Sequence, residues 1–249
     1  MRYHRNLFSG KKQDVFEILK FLAKVNVAKL SEYFKAKETF AQSKVEPPIV
    51  IRLDGVGFGK ALEGFEKPRS RPVHEALVEA CMSILDRFGC NMGYVVSDEL
   101  NVVCLESLPY GGRVEKLNSI SADIASAVVT LRLGRPLFFD ARIVELSSKS
   151  EAKDYILFRA RVGLNNFVAQ FYHARYGYRR QTPRLEQMVY SLQNELRDIE
   201  LWKPLGTCIK KETYIKKAID KKRGIMITVT RRRWCISEGP LHCLETSMA

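Results

Sequence analysis

The chain has no Cys-x-x-Cys pair, and its four histidines form no cluster with its six cysteines. That spacing argues against bound zinc. No uninterrupted apolar run is long enough to span a bilayer. The basic N-terminus is not a signal peptide, because Lys20 and Lys24 break its apolar stretch and no small-residue cleavage site follows. A soluble, cytoplasmic protein is therefore expected. Internal repeats, low-complexity tracts and a Walker A loop are also missing. Acid is scarce relative to base: 28 Asp and Glu against 41 Lys and Arg leave a formal net charge of +13. Such an excess points to nucleic acid, nucleotides or an anionic surface, without choosing among them.

What is present is enough apolar residue, 46% of 249, to bury a substantial core in one large domain or two small ones. Cys81 and Cys104 fall on apolar faces and read as small core residues. Cys235 and Cys243 could pair, although nothing in the sequence requires it. Apolar spacing predicts helices over 14–26 and 28–40. Pro47-Pro48 then sets up an extended segment. From there the pattern is regular: a strand near 48–54, a helix over 72–88, strands near 92–97 and 100–106, a helix over 114–133, and a strand over 137–145. That order is a split βαβ, or ferredoxin-like βαββαβ, unit. Helices over 151–176 and 183–196 follow. Residues 210–223 read as a solvated basic helix face, and a last strand covers 224–230. The expected organisation is an N-terminal helical extension (1–30), a catalytic unit (31–146), a helical and basic region (147–233) and a tail (234–249).

Two acidic motifs stand out. Arg52-Leu53-Asp54-Gly55 closes the first strand, and Ser97-Asp98-Glu99 joins the second strand to the third. In a βαββαβ unit the first and third strands pair, so Asp54 and Asp98 should meet at one end of the sheet. Two such aspartates can hold two divalent metals for phosphoryl chemistry. Each alone is also an ordinary turn or strand-end residue; the topology is what favours the metal site. Gly55 permits close approach of the backbone, and its carbonyl is a further hard oxygen ligand. Glu99 is a candidate third carboxylate. Gly57 and Phe58 lie in a glycine-rich turn, and Lys67 on the loop beyond it can reach phosphate. Arg113 and Lys116 share a face at a helix start, an arrangement suited to a triphosphate. Asn165 and Asn166 interrupt an apolar-aromatic helix and are candidates for base or ribose contacts or for ties between helices. His74 and His173 are lone histidines that read as structural or exposed. Lys216, Lys217, Lys221 and Lys222 are candidate contacts to an RNA backbone.

Taken together, these residues resemble the tRNA(His) guanylyltransferase superfamily, including its guanylyltransferase-like 3′–5′ polymerases. The resemblance runs from near Glu32-Tyr33-Phe34 to about Val229. It includes Arg52-Leu53-Asp54-Gly55, Phe65-Glu66-Lys67-Pro68, Ser97-Asp98-Glu99, Arg113 with Lys116, Phe139-Asp140-Ala141-Arg142, Asp154-Tyr155, Arg159, Asn165-Asn166, Asn194-Glu195 and Arg223-Gly224. It implies an α+β fold: a polymerase-type palm followed by a helical, fingers-like C-terminal part. It implies two Mg2+ ions at Asp54, the Gly55 carbonyl and Asp98, with Asp54, Asp98 and Glu99 as catalytic candidates. Gly57, Phe58, Lys67, Ser97, Arg113, Lys116 and Asn166 become the expected nucleotide-binding set. ATP, GTP or other NTPs and tRNA are the implied substrates, and a homodimer or homotetramer the implied assembly.

Gly163 and Gly59 stand where enzymes specific for tRNA(His) usually carry histidine. These departures favour template-dependent 5′-end repair over addition of a single G to tRNA(His), which is the alternative. A non-catalytic RNA-binding module is disfavoured because the central strands are aliphatic with acidic ends. A nucleotide cyclase is disfavoured by the basic surface and by Asn165-Asn166.

Overall fold

The computed structural model describes residues 15–177, 182–220 and 222–245. The chain divides into two compact units between Ala41 and Gln42. The first holds helices α1 (Val15–Ala23) and α2 (Val27–Lys35). Asn26 caps α2, its Oδ1 accepting from Lys29 N at 3.0 Å. α2 ends before the expected 40, and Phe40 sits in the left-handed region at φ 63°.

The second unit is built on one sheet. In chain order it contains β1 (Ile49–Gly55), α3 (Phe58–Ala61), α4 (Arg71–Phe88), β2 (Met92–Val96), β3 (Glu99–Cys104), α5 (Val114–Leu133), β4 (Phe139–Glu145) and α6 (Glu151–Tyr176). These are followed by α7 (Leu185–Ser191), α8 (Gln193–Arg197), α9 (Trp202–Leu205), β5 (Thr207–Asp220), β6 (Ile225–Glu238) and α10 (Leu241–Leu244). The helix expected over 183–196 is broken at Leu192, which separates α7 from α8. The strand order is β4-β1-β3-β2-β5-β6, with every pairing antiparallel.

Alternation along the central strands gives the sheet two apolar faces. Ile49, Ile51 and Leu53 of β1 pack with Leu77, Ile84 and Leu85 of α4 and with Leu117 and Val129 of α5. Val50 joins Tyr94, Val96 and Val103 against Ile156 and Ala160 of α6 on the opposite face. All of these side chains are buried, so each valine, leucine and isoleucine among them contributes on the order of 1.5–3 kcal/mol of transfer free energy. α6 lies very close to β2: a Cβ built on Gly163 would come within 2.2 Å of Val96 Cγ2.

Two expectations are corrected here. The basic segment 210–223 is not a helix face, because it lies largely in β5. Only Thr207 to Lys210 of that strand also pair with β2; from Lys211 to Asp220 the partner is β6 alone. The two strands form an arm about 34 Å long at the usual rise per residue. Lys216 and Lys217 lie on this arm opposite Val229 and Thr228, Lys222 is in its turn, and Lys221 lies outside the described residues. The cysteine pairing also differs. Cys104 is buried but bonded to Cys90, and Cys243 is bonded to Cys208 rather than Cys235. Cys81 is free and buried, as its apolar face implies, and Cys235 is free. None of the described helices is long and apolar enough to cross a membrane.

Candidate active site

The two acidic motifs meet at one end of the sheet. Asp54 is in register with Glu99 of β3 on one side and with Asp140 of β4 on the other. Gly55 N donates to Asp98 O at 3.1 Å, which ties the end of β1 to the β2–β3 turn. Ser97 holds that turn in the left-handed region at φ 62°, and its Oγ donates to Asp98 Oδ1 at 2.9 Å. A non-glycine residue with positive φ costs energy that the surrounding hydrogen bonds must offset. Gly55 is required by packing, since a Cβ there would meet the Phe58 ring at 2.5 Å. Phe58 in turn packs edge-on against Phe139 at 5.1 Å, which fixes the turn that follows β1.

The electrostatics favour a cation at this end. Burial and the charge of Asp98, with smaller contributions from Glu99 and Asp140, push the Asp54 carboxyl above its usual value, while Arg52 opposes them. Arg52 reaches Asp54 at 3.6 Å but is bound more closely to Glu99, at 2.7 Å. The negative charge around Asp54 is therefore under-compensated by the protein itself. Carboxylate and carbonyl oxygens of this kind are the donor set for a hard divalent ion, so Asp54, Asp98 and the Gly55 carbonyl fit one.

Glu99 has a different place from the one expected. Its carboxylate accepts from Arg52 Nε at 2.7 Å, from Arg159 Nε at 2.7 Å and from Asn101 Nδ2 at 2.9 Å, with a further bond from Arg159 Nη2. Tyr155 Oη donates to Asn101 Oδ1 at 3.0 Å and extends the network to α6. Both Glu99 oxygens are thus occupied by guanidinium groups within the buried layer between sheet and helix. A buried, fully bonded carboxylate ties two elements together. The sequence pattern lacked the information that Arg159 would arrive from α6.

Beside Asp98 opens a cavity of about 300 Å³, lined among others by Phe58, Lys67, Arg69, Ser97, Asn166 and Trp202. Four of the expected nucleotide contacts (Phe58, Lys67, Ser97 and Asn166) are brought together here. Gly57, at φ 66°, starts the short α3 that forms the adjoining wall. Lys67 is exposed and its Nζ lies 3.5 Å from Gly59 O, which leaves it able to turn toward an anion. Asn165 and Asn166 are both exposed on α6, and Asn166 with Gln170, one turn on, faces the cavity.

Arg113 and Lys116 are placed elsewhere. Val45 N bonds to Gly112 O and Val114 N to Ser43 O, so the start of α5 lies beside the chain entering β1. Asp54 is at the far end of that strand, about 20 Å away at the usual rise. Within one chain these two cations do not join the cavity. Adjacency to a helix N-terminus is legible in the sequence; which end of the sheet that terminus occupies is decided by β3, which runs away from the Asp98 turn toward Ile49.

Three residues not expected at the site do line it. Arg69 donates Nη1 to Pro68 O at 2.9 Å, while its buried Nε and Nη2 have no hydrogen-bond partner among the described residues. Burial lowers its pKa and the Asp98 charge opposes that; a guanidinium remains charged in any case. His74, read as structural or exposed, stacks on Trp202 at 4.5 Å and lies 2.7 Å from Thr207 Oγ1. Burial, with Arg69 and Arg71 nearby, lowers its pKa to about 4, so the ring is neutral at neutral pH. Trp202 Nε1 is buried without a hydrogen-bond partner among the described residues. The sequence signal for Arg69 was its place two residues after Lys67, on the same loop.

A carboxylate pair beside a cationic, aromatic-walled cavity has the chemistry suited to a phosphate-bearing ligand and a divalent ion. The chain belongs to the Thg1 family of tRNAHis guanylyltransferases, whose match covers residues 31–164, and is thus a nucleotidyltransferase. It is 27% identical over 221 residues to an uncharacterized protein of Acanthamoeba polyphaga mimivirus, covering 72% of this chain and 75% of that one. The fold is shared with a bacterial tRNA(His) guanylyltransferase-like protein in complex with ATP: TM-score 0.68, 24% identity, 86% of this chain and 94% of that chain. The GTP complex of such a bacterial protein gives a TM-score of 0.69 at 23% identity, over 84% and 91% of the two chains. The guanylyltransferase of Saccharomyces cerevisiae gives 0.60 at 16% identity, over 72% and 91%.

Proposed function

We propose that this chain is a metal-dependent 3′–5′ nucleotidyltransferase that adds nucleotides to the 5′ end of tRNA in template-dependent repair. The carrying observation is the cavity in which Ser97, Asp98, Lys67, Arg69 and Asn166 converge beside Asp54. In this reading β1 to β4 with α4 and α5 act as a ferredoxin-like palm. Its acidic end would be held by Asp54, Asp98 and the Gly55 carbonyl around two Mg2+ ions. When bound, Mg2+ supplies Lewis acidity toward a phosphoryl oxygen and lowers the pKa of a coordinated hydroxyl.

The chain's own residues do the rest. Lys67 and Arg69 bind phosphate oxygens of ATP, GTP or another NTP, with the Arg69 fork supplying two otherwise unbonded donors. Ser97 and Asn166 offer neutral hydrogen bonds for orientation, and Trp202 with neutral His74 forms an apolar wall that excludes water. The Glu99 network keeps Arg52 close to Asp54 without neutralising it. The basic arm, with Lys216, Lys217 and Lys222, follows the tRNA backbone by charge and shape. A homodimer or homotetramer in the cytoplasm completes the reading.

The branch is argued from Gly59 and Gly163. Neither carries a side chain to read a base, so nucleotide choice falls to pairing with the strand opposite. The test is incubation with 5′-truncated tRNAs and each NTP separately. The expected product carries the nucleotide complementary to the opposing base on the 3′ side of the acceptor stem, and changing that base switches it. Addition of guanosine to full-length tRNA(His) alone, indifferent to the opposing base, would establish the alternative instead.

A further inference from the structure

The pairing register of β5 with β6 puts Glu212 opposite Arg233 and Cys235 opposite Lys210. Glu212 and Cys235 are therefore diagonal neighbours on one face at the base of the arm. α10 brings His242 onto the same face. A ring nitrogen of His242, the Cys235 Sγ and a Glu212 carboxylate oxygen all lie within 4.8 Å of one another, each on a half-buried residue. These residues are 23 and 7 positions apart in sequence, so no ligand spacing revealed them.

Three details distinguish this group from a chance polar contact. First, Nε2 is shielded from solvent and stands 3.0 Å from Glu212 Oε1, yet without the alignment of a hydrogen bond. Two lone-pair atoms at that separation are close enough to share one ion, a little inside the edge of about 3.3 Å that an ideal tetrahedron with bonds of about 2.0–2.1 Å would have. Second, the other ring nitrogen, Nδ1, faces Glu245 Oε2 at 3.6 Å. A carboxylate behind the non-ligating nitrogen is the arrangement that orients a metal-binding imidazole. Third, the donor set of one sulfur, one nitrogen and one oxygen differs from the all-oxygen set at Asp54 and matches a borderline-soft ion.

We propose that Glu212, Cys235 and His242 form a zinc site that fastens the C-terminal helix to the base of the basic arm. A thiolate and a carboxylate together neutralise Zn2+, with imidazole as third ligand and water in the fourth position. Lys210, whose Nζ donates to His242 O at 2.9 Å, and Arg233, 3.8 Å from Glu212, flank the site. Cys243, next to His242, is bonded to Cys208, so zinc would be a second fastening at the same joint.

The test uses the full chain, stripped with chelator and titrated with Zn2+ alone and with Co2+ alone. The expected results are one Zn2+ bound per chain, a sulfur-to-cobalt charge-transfer band, and a rise in Tm on zinc addition that excess Mg2+ does not reproduce. Cys235→Ser should remove the cobalt band, His242→Gln should weaken zinc binding, and both should lose the zinc-dependent rise in Tm. Asp54→Asn should leave all three readouts unchanged. Failure of the wild-type chain to bind zinc, a cobalt band that survives Cys235→Ser, or zinc binding lost on Asp54→Asn would each overturn the site.

Discussion

Replacing Gly163 by histidine tests whether this glycine is present for packing or for substrate choice. A Cβ at this position meets Val96 Cγ2 at 2.2 Å, between two buried elements that cannot separate without opening the core between α6 and β2. Overpacking of a tight core costs about 1–3 kcal/mol, and a whole imidazole behind that Cβ belongs at the upper end. Leaving glycine regains about 0.5 kcal/mol of helix propensity. The expected net loss is about 2.5 kcal/mol, which for a unit of this size lowers Tm by about 5–10 °C. Val96→Ala removes the clashing methyl at a cost of about 1.6 kcal/mol by transfer of two methyl groups. Combined, the two changes should be less destabilising than their sum by at least about 1 kcal/mol, the sign of direct contact. Thermal and urea unfolding of the four proteins would measure this. If Gly163→His is as stable as wild type, or the two changes are strictly additive, the close crossing of α6 over β2 is wrong. The position would then be free to carry a base-reading side chain.

Asp54→Asn and Asp98→Asn should each abolish nucleotide addition with the fold retained, as measured by extension of labelled tRNA. The Asp54 carboxyl is raised above 3.8 in the folded chain. Its contribution to stability therefore falls as pH rises from that value through the raised one. Metal-free Asp54→Asn should melt higher than metal-free wild type at neutral pH, with the difference vanishing in acid, and added Mg2+ should stabilise only the wild type; a lower Tm for the variant would contradict this. Arg69→Ala should weaken NTP binding by about 10- to 100-fold, the worth of a charge-assisted hydrogen bond of about 1.5–3 kcal/mol, in a calorimetric titration; unchanged affinity would remove Arg69 from the nucleotide site. Replacing Lys216, Lys217 and Lys222 by Ser should reduce the log–log salt slope of tRNA binding by about 0.7–0.9 per lost phosphate contact; an unaltered slope would leave the arm without a role in RNA binding.

The sequence alone settled the elements that carry their own period and the motifs that are local. The helices over 114–133 and 151–176 were legible because apolar spacing and the C-terminal Gly134 and Gly177 mark their limits. The meeting of β1 with the β2–β3 turn was legible because a βαββαβ order leaves that pairing little alternative. The short strings around Asp54, Lys67, Asp98 and Asn166 identified the family that the match over 31–164 shows.

Other features depended on contacts between distant segments, which no local pattern records. The run from Lys210 to Arg223 carries cations at a spacing that suits either a helix or a strand. Pairing with β2, more than a hundred residues earlier in the chain, sets the start of the strand, and β6, which follows within a few residues, continues it. Glu99 looks like a third acid of the site until Arg52 and Arg159, from opposite sides of its layer, take both its oxygens. Arg113 and Lys116 look like a triphosphate clamp until the strand direction sends them to the far end of the sheet. Cys243 chose Cys208 over Cys235 because α10 folds back on the start of β5. Periodicity and short motifs report what a residue offers to its surroundings. The partner that receives the offer is set by the path of the chain, and only the tertiary structure fixes that path.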